Sequence, residues 1–455
     1  MKKIILLIVV LAVALLPLIG NKVIKATLDE KVKILTSNGV EVKASTQDAS
    51  YLRTSMHYEF VVSDSHKYIA YMNQYADQQI PSYVNMMLEG MHIGMDLSYS
   101  NILFNDSLEI DIYPLTLANK ASLDLQKNDK EFYEYISNFL KIKGLLYHLN
   151  YDLSSESFDG YIKDIDEEYT FKDATDTKLI MKNMVFSGKG SLFHPSQIDS
   201  SLQKITMSSI GKKETLDLEL ENITSSATFR TKTTYSTKAN VENMKMKTKG
   251  LESSEVYLKD LNFVLSADTQ SKKAKFNGAS SFKELTFKTA SSNISLFDFN
   301  YDVGLTDIDK DAFEELRDLL SKAKTDLSPE LQNKISNAMF NIISKGFILN
   351  IKDISVDKIS KDSLSASDAF SIKALLSIKP DTNALKNINT RPAEFLKNIT
   401  LDALMKISKD FFRMMNKEVP VSMLAGGFAK EVGNDYVFDV KFKDSKLNVN
   451  GKAIK

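Results

Sequence analysis

Three patterns of hydrophobic and polar positions divide this chain. The first is unbroken: after Lys2 and Lys3, sixteen of the 17 positions from Ile4 to Gly20 are aliphatic or proline. As a helix such a run reaches roughly 25 Å, near the lower limit for crossing a bilayer. It predicts a transmembrane anchor built on Ile4, Leu7, Val10, Leu15 and Ile19. Ile24, Leu28 and Val32, at steps of four, extend the helix as a stalk until Asn38-Gly39 stops it. A removable secretory signal needs small residues at the last and third-last positions before the cut. Cuts after Gly20 or Ala26 place Leu18 or Ile24 at the third-last position, so the run is expected to stay as an anchor. Lys2 and Lys3 point to an inside amino terminus, with Lys22 and Lys25 weakening the asymmetry, and the remaining chain then lies outside the cytoplasm.

The second pattern has period two. Val40 and Val42, then Met56, Tyr58, Phe60 and Val62, alternate with polar residues as half-buried strands do. Strands are also expected over 91–104 and 107–117, and almost continuously over 145–304. In that last stretch a loose motif recurs, a charged residue followed by Asn, Asp or Glu and then an aliphatic. Its copies are Lys182-Asn183-Met184, Glu221-Asn222-Ile223, Glu242-Asn243-Met244, Lys259-Asp260-Leu261 and Lys283-Glu284-Leu285. The spacing is too irregular for a solenoid. It reads as successive strands of one long antiparallel sheet sharing an apolar face, with Thr, Ser and Lys on the other. Alternation returns over 347–356, 367–378 and 399–407, and the chain closes in hairpins over 436–449.

The third pattern is helical. A methionine-rich interlude over 65–90 has Ile69, Met72, Tyr75 and Ala76 at helical spacing and breaks near Ile80-Pro81. Its methionines, with Met91 and Met95 beyond it, read as core filler, with an adaptable surface for a partner or lipid as the alternative. A second helix, 129–143, aligns Phe132, Tyr135, Ile136, Phe139 and Leu140 and ends before Gly144. A helical hairpin is expected over 309–345. Its first arm presents Phe313, Leu316 and Leu320, and its second, capped by Ser328 with Pro329 in the first turn, presents Ile335, Met339 and Ile342. These six are the expected lid over the sheet's apolar face, which the hairpin covers either as a gate or as a cap on the core. A short helix carrying Phe411, Phe412, Met414 and Met415 follows Ser408.

Composition narrows the function classes. With 58 Lys+Arg against 59 Asp+Glu the net charge is -1, so no global field recruits nucleic acid. The absence of cysteine among 455 residues excludes disulfides, thiol catalysis and cysteine metal sites, and suits an oxidising exterior. His57, His66, His92, His148 and His194 show no pair at helical zinc spacing. The acidic run Asp164, Asp166, Glu167, Glu168 lacks the glycine loop of a calcium site, and Ser187-Gly188-Lys189-Gly190-Ser191 fits neither a hydrolase elbow nor a phosphate loop. The expectation is a protein with no cofactor, no metal and no catalytic residues.

The order of elements resembles that of the YdgA-like family of bacterial proteins. The resemblance rests on the lysine-led apolar run, Ile112-Tyr113-Pro114-Leu115, the segment Phe299-Asn300-Tyr301-Asp302-Val303-Gly304-Leu305 leading into the helical hairpin, and the closing Asp444-Ser445-Lys446-Leu447-Asn448-Val449-Asn450-Gly451-Lys452. The methionine-rich segment has no counterpart there. The resemblance implies a single-pass inner-membrane protein, amino terminus in the cytoplasm and bulk in the periplasm, and it carries over no catalytic residues. The expected fold is then α+β and β-rich: a transmembrane helix, then a long curved antiparallel sheet with a helical hairpin and short helices packed on it. The expected parts are 1–37 (anchor and stalk), 38–304 (β-rich with two helical insertions) and 305–455 (hairpin and carboxy-terminal strands). The expected role is a non-enzymatic scaffold or an apolar, lipid-type groove in cell-envelope maintenance. The alternatives are a module binding envelope proteins and a cryptic hydrolase, which would need polar groups converging in a pocket.

Overall fold

A computed structural model describes residues 25–454 apart from 74–79, 81–82, 103–106, 192–193, 232, 251, 322–327, 382, 384–390 and 417–426. Among the described residues it contains 21 strands, paired antiparallel, and few helices. The expected plan headed by a transmembrane helix is corrected on this point. Among the described residues no helix is long and apolar enough to cross a membrane. The expected anchor residues Ile4, Leu7, Val10, Leu15 and Ile19 lie outside the described residues. Nor is the chain an α+β assembly, because the strands dominate it and the longest helix bounded in full, 17 residues, sits between two of them.

The chain forms two compact units, Met1–Lys212 and Lys213–Lys455. The first begins its described part with helix α1 (25–37), whose Leu28, Val32 and Leu35 pack on a core of Val40, Met56, Tyr58, Phe60, Leu97 and Tyr99. Its strands follow one another as neighbours: β1 (Val40–Ala49), β2 (Arg53–Val62), β3 (His92–Ser100), β4 (Ser107–Pro114), β5 (Tyr147–Asp152) and β6 (Ser157–Ile162). The long β8 (Asp176–Ser191) then pairs with β6 along one half, with β7 (Ile165–Thr170) along the other, and with β9 (His194–Ile210). The connections carry α2 (Ser65–Met72), α3 (Val84–Leu88), α4 (Asn119–Asn128) and α5 (Lys130–Lys141). Asp64 caps α2 at Lys67 N–H and Asp129 caps α5 at Phe132 N–H, the roles short acceptors play at helix starts. The methionine-rich stretch departs from core filler at α3, where Met86 and Met87 are 48% and 61% exposed.

One buried polar residue organises an end of this unit. Asn101, 2% exposed, donates from Nδ2 to the Ser50 carbonyl (2.7 Å) and accepts from the buried Thr54 hydroxyl (2.8 Å). Its backbone N–H donates to the Leu52 carbonyl (2.8 Å), so the β1–β2 turn is latched to the end of β3. Replacing Asn101 by Leu strands a buried hydroxyl and a carbonyl, each worth about 1–3 kcal/mol. The expected result is a urea midpoint lowered by an equivalent of about 2–3 kcal/mol at unchanged slope. An unshifted midpoint would mean the latch contributes nothing.

The second unit runs β10 (Thr215–Thr231), β11 (Thr234–Lys249), β12 (Ser254–Asp268), β13 (Lys273–Thr289), β14 (Asn293–Asp309), β15 (Phe347–Lys361), β16 (Leu364–Ile378) and β17 (Ile399–Ser408), each beside the next. β17 pairs with β19 (Asp435–Lys443), which β18 (Lys430–Val432) and β20 (Lys446–Val449) flank, and β21 (Lys452–Ile454) closes the order. Between β14 and β15 stand α6 (Lys310–Ser321) and α7 (Pro329–Lys345). Ser328 caps α7 and Gly346, at φ 72°, ends it where a Cβ would meet the Ile378 carbonyl oxygen at 2.5 Å. The remaining helices are α8 (Pro392–Leu396) and α9 (Lys409–Asn416).

Candidate functional site: an apolar face divided by a row of kinks

The long strands of the second unit do not alternate uniformly. In β10 the apolar positions are Leu216, Leu218 and Leu220, then Ile223, Ala227 and Phe229, a change of parity at Asn222. The same change crosses the neighbouring strands in register. Leu220, Met244, Leu258, Leu285, Leu296 and Ile359 face one another on one side of it. Ile223, Val241, Leu261, Phe282, Phe299 and Val356 do so on the other.

Between these apolar rows runs a polar one: Asn222, Glu242, Asp260, Lys283, Asp298 and Asp357. Asn222 Nδ2 donates to Glu242 at 2.6 Å, and Lys283 pairs with Asp260 at 2.9 Å. The Asp260 carboxylate holds the Lys283 amine above its ordinary range, with Asp298 adding to the effect. Every second strand carries a left-handed residue at this line: Asn222 (φ 52°), Asp260 (φ 53°), Asp298 (φ 50°) and, in β16, Asp368 (φ 47°). Asn and Asp tolerate that conformation because their short polar side chains bond locally. β8 of the first unit repeats the device at Asn183 (φ 53°), whose N–H donates to Asp164 at 2.8 Å.

The kinks reset the pleat. Residues three apart in a regular strand point to opposite faces, yet Leu296 and Phe299, and likewise Val356 and Ile359, meet in one cluster with Phe370 and with Phe411 and Met414 of α9. The apolar rows on both sides of the line therefore share one face. From β10 to β15, away from the strand ends, the positions on that face hold only aliphatic, aromatic, small or hydroxyl side chains. The opposite face carries Glu219, Lys245, Lys247, Glu255 and Glu284, with Lys247 bridged to Glu255 at 3.2 Å.

Among the described residues, helices cover this face only locally. α9 sits on β16 and β17. The α6–α7 hairpin meets the far end of β13 and β14, where Phe313 packs on Phe276 (ring centroids 4.6 Å apart) and Lys345 pairs with Asp309 at 2.7 Å. Of the expected lid residues, Phe313, Leu316, Ile335 and Ile342 are half-buried, whereas Leu320 and Met339 are exposed. The seat of the hairpin is made by Ala312 and Ala338, each 1% exposed; Ala338 falls on the apolar stripe expected of the second arm, and Ala312 was not anticipated. Phe263 and Tyr301, which both pair with Ser280, stand 44% and 39% exposed on one side of the polar line, and Phe287, paired with Ile294 nearer the β13–β14 turn, stands 43% exposed on the other. These three, on β12, β13 and β14, are the candidate site.

The first unit brings together residues that lie far apart in the chain. His57, Asp96, Asp111 and His148 face one another across β2 to β5 in direct register. They line an open depression of about 350 Å³. His57 Nδ1 lies 2.6 Å from Asp96, and His148 Nδ1 lies 2.7 Å from Asp111. The other nitrogen of His57 faces Glu59 at 3.8 Å. Asp96 also accepts from Lys143 and from the Tyr113 hydroxyl. Among the described residues no group of three His, Asp or Glu side chains is placed to hold a metal ion.

Burial raises the Asp96 pKa, but the hydrogen bonds from Lys143 and His57 and the Lys143 charge outweigh it, so the carboxyl is held below its ordinary range. A carboxyl depressed in the folded state adds stability above its unfolded pKa, about 3.9, and that stability fades as pH falls through the folded value. Lys143→Met is therefore expected to destabilise the protein at neutral pH and to flatten the loss below pH ~4. Parallel stability curves for the two proteins would contradict this.

No protein-family model, no curated protein and no solved structure matches this chain.

Proposed function

We propose that the protein is a non-enzymatic lipid-binding protein whose second unit holds acyl chains against its apolar face. The observation that carries this reading is that Phe263 and Tyr301 on one side of the polar line, and Phe287 on the other, are half-exposed on a face whose own positions, away from the strand ends, hold no charged side chain. Apolar surface of that kind is expensive to leave in water and offers hydrocarbon no polar group to desolvate. The kink line supports it, because it keeps both halves of each long strand presenting apolar residues to the same side. Absence of cysteine supports a place outside the cytoplasm. Kinship with the YdgA-like proteins, and with it a role in the cell envelope, belongs to the same proposal and rests on the sequence segments that carry the resemblance.

The test is direct binding of a chain-labelled fatty acid to the full-length protein, read by fluorescence. Saturable binding that unlabelled phospholipid competes away is expected. Uptake that is equal for the folded and the urea-unfolded protein would defeat the proposal.

A further inference from the structure

We infer that the first unit carries a second lipid-facing surface, the tips of its hairpins, which enters the surface of a neutral bilayer. Hairpin turns are ordinarily polar. Here the β1–β2 turn presents Tyr51 and Leu52, 52% and 54% exposed; the β3–β4 turn presents Ile102, 43% exposed; and the β5–β6 turn presents Leu153, 36% exposed. The pairings Arg53↔Ser100 and Ser107↔Asp152 put all three turns at the same end of the sheet. Buried Asn101, beside Ile102, bonds the Ser50 and Leu52 carbonyls, so Tyr51, Leu52 and Ile102 stand on a polar latch rather than collapsing onto the core.

The geometry selects the partner. The surface is a set of protruding tips, so it enters something soft instead of receiving a knob. The half-exposed parts of four side chains amount to on the order of a few hundred Å², well short of the ~800 Å² per partner of a stable protein interface. A bilayer needs only that a few aromatic and aliphatic side chains partition at the headgroup boundary. The charges beside the tips are mixed, with Asp48, Asp152 and Glu156 against Arg53. An anionic surface is therefore not favoured, and neutral phosphatidylcholine is the partner proposed. This surface is distinct from the acyl-chain face, and either can fail without the other.

The chain has no cysteine, so one introduced thiol reports one position. Full-length Leu52→Cys and Asp173→Cys, the second in the β7–β8 turn at the opposite end, are each labelled with an environment-sensitive dye and mixed with phosphatidylcholine vesicles containing brominated chains. However the rest of the chain meets the vesicle, the readout is positional. The dye at 52 is expected to shift to the blue and be quenched severalfold more than the dye at 173, with little change on raising salt. Adding Tyr51→Ser and Ile102→Ser should remove most of that difference while leaving the melting temperature unchanged. Equal responses at both positions, or none at 52, would overturn the inference. So would a shift that follows protein concentration rather than lipid, which would make the tips a contact between copies.

Discussion

Phe263→Asp combined with Tyr301→Asp should abolish acyl-chain retention while leaving the protein folded. Both side chains sit on the apolar face and both are about two-fifths exposed, so their exchange opens no large cavity. Each substitution removes an aromatic surface that hydrocarbon would cover and puts a carboxylate in its place. Losing the contact of a few methylene groups, at about 0.8 kcal/mol each, already amounts to about 3 kcal/mol, or ~100-fold in affinity. Asn262→Asp with Asn300→Asp is the matched control, since it adds the same charge to the same strands on the polar face. It should bind like the parent. Equal losses in the two double variants would mean that net charge, and not the apolar face, governs retention.

The second large effect is expected at the kink line. Asn222, Asp260 and Asp298 hold left-handed backbone in alternate strands. A β-branched residue there meets its own backbone, at a cost of about 1–2 kcal/mol per position. The sites lie two strands apart, and although Asp260 and Asp298 both act on Lys283, the backbone cost at each is local, so the backbone effects should nearly add. Asn222→Val, Asp260→Val and Asp298→Val together are expected to cost about 3–6 kcal/mol. The same three positions changed to Gly lose the same side chains, including the Lys283 partner, but keep access to the left-handed region. Urea unfolding should therefore separate the triple Val variant from the triple Gly variant by most of that energy. If the two fall together, the side-chain row and not the backbone holds the line.

Much of the strand plan was legible because alternation is a strong signal over 15–17 residues, and so were α5 and the arms of the hairpin, where caps and stripes agree. The function of the recurring motif was not. Three of its copies, at Asn183, Asn222 and Asp260, are the left-handed residues themselves. In the other two the leading residue, Glu242 or Lys283, stands opposite one. Only strand pairing lines these residues up, which is why their spacing looked irregular in the chain. The parity change from Leu220 to Ile223 was the available clue. Of the hairpin seat, Ala338 was legible because it falls on the apolar stripe of α7, whereas Ala312 was not, since burial of Ala follows from what packs on it and not from its own hydrophobicity. The row from His57 to His148 was invisible for the same reason as the kinks: its members are tens of residues apart and meet only through the ladder.

The most direct measurement is photo-crosslinking with a fatty acid bearing a reactive group along its chain, followed by peptide mapping of the full-length protein. Adducts should concentrate on the peptides of β12 to β14 that carry Phe263, Phe287 and Tyr301, and should vanish when excess unlabelled lipid is present. Adducts concentrated on the lysine-rich opposite face of β11 to β13, or spread evenly along the chain, would contradict the assignment of the apolar face as the lipid site.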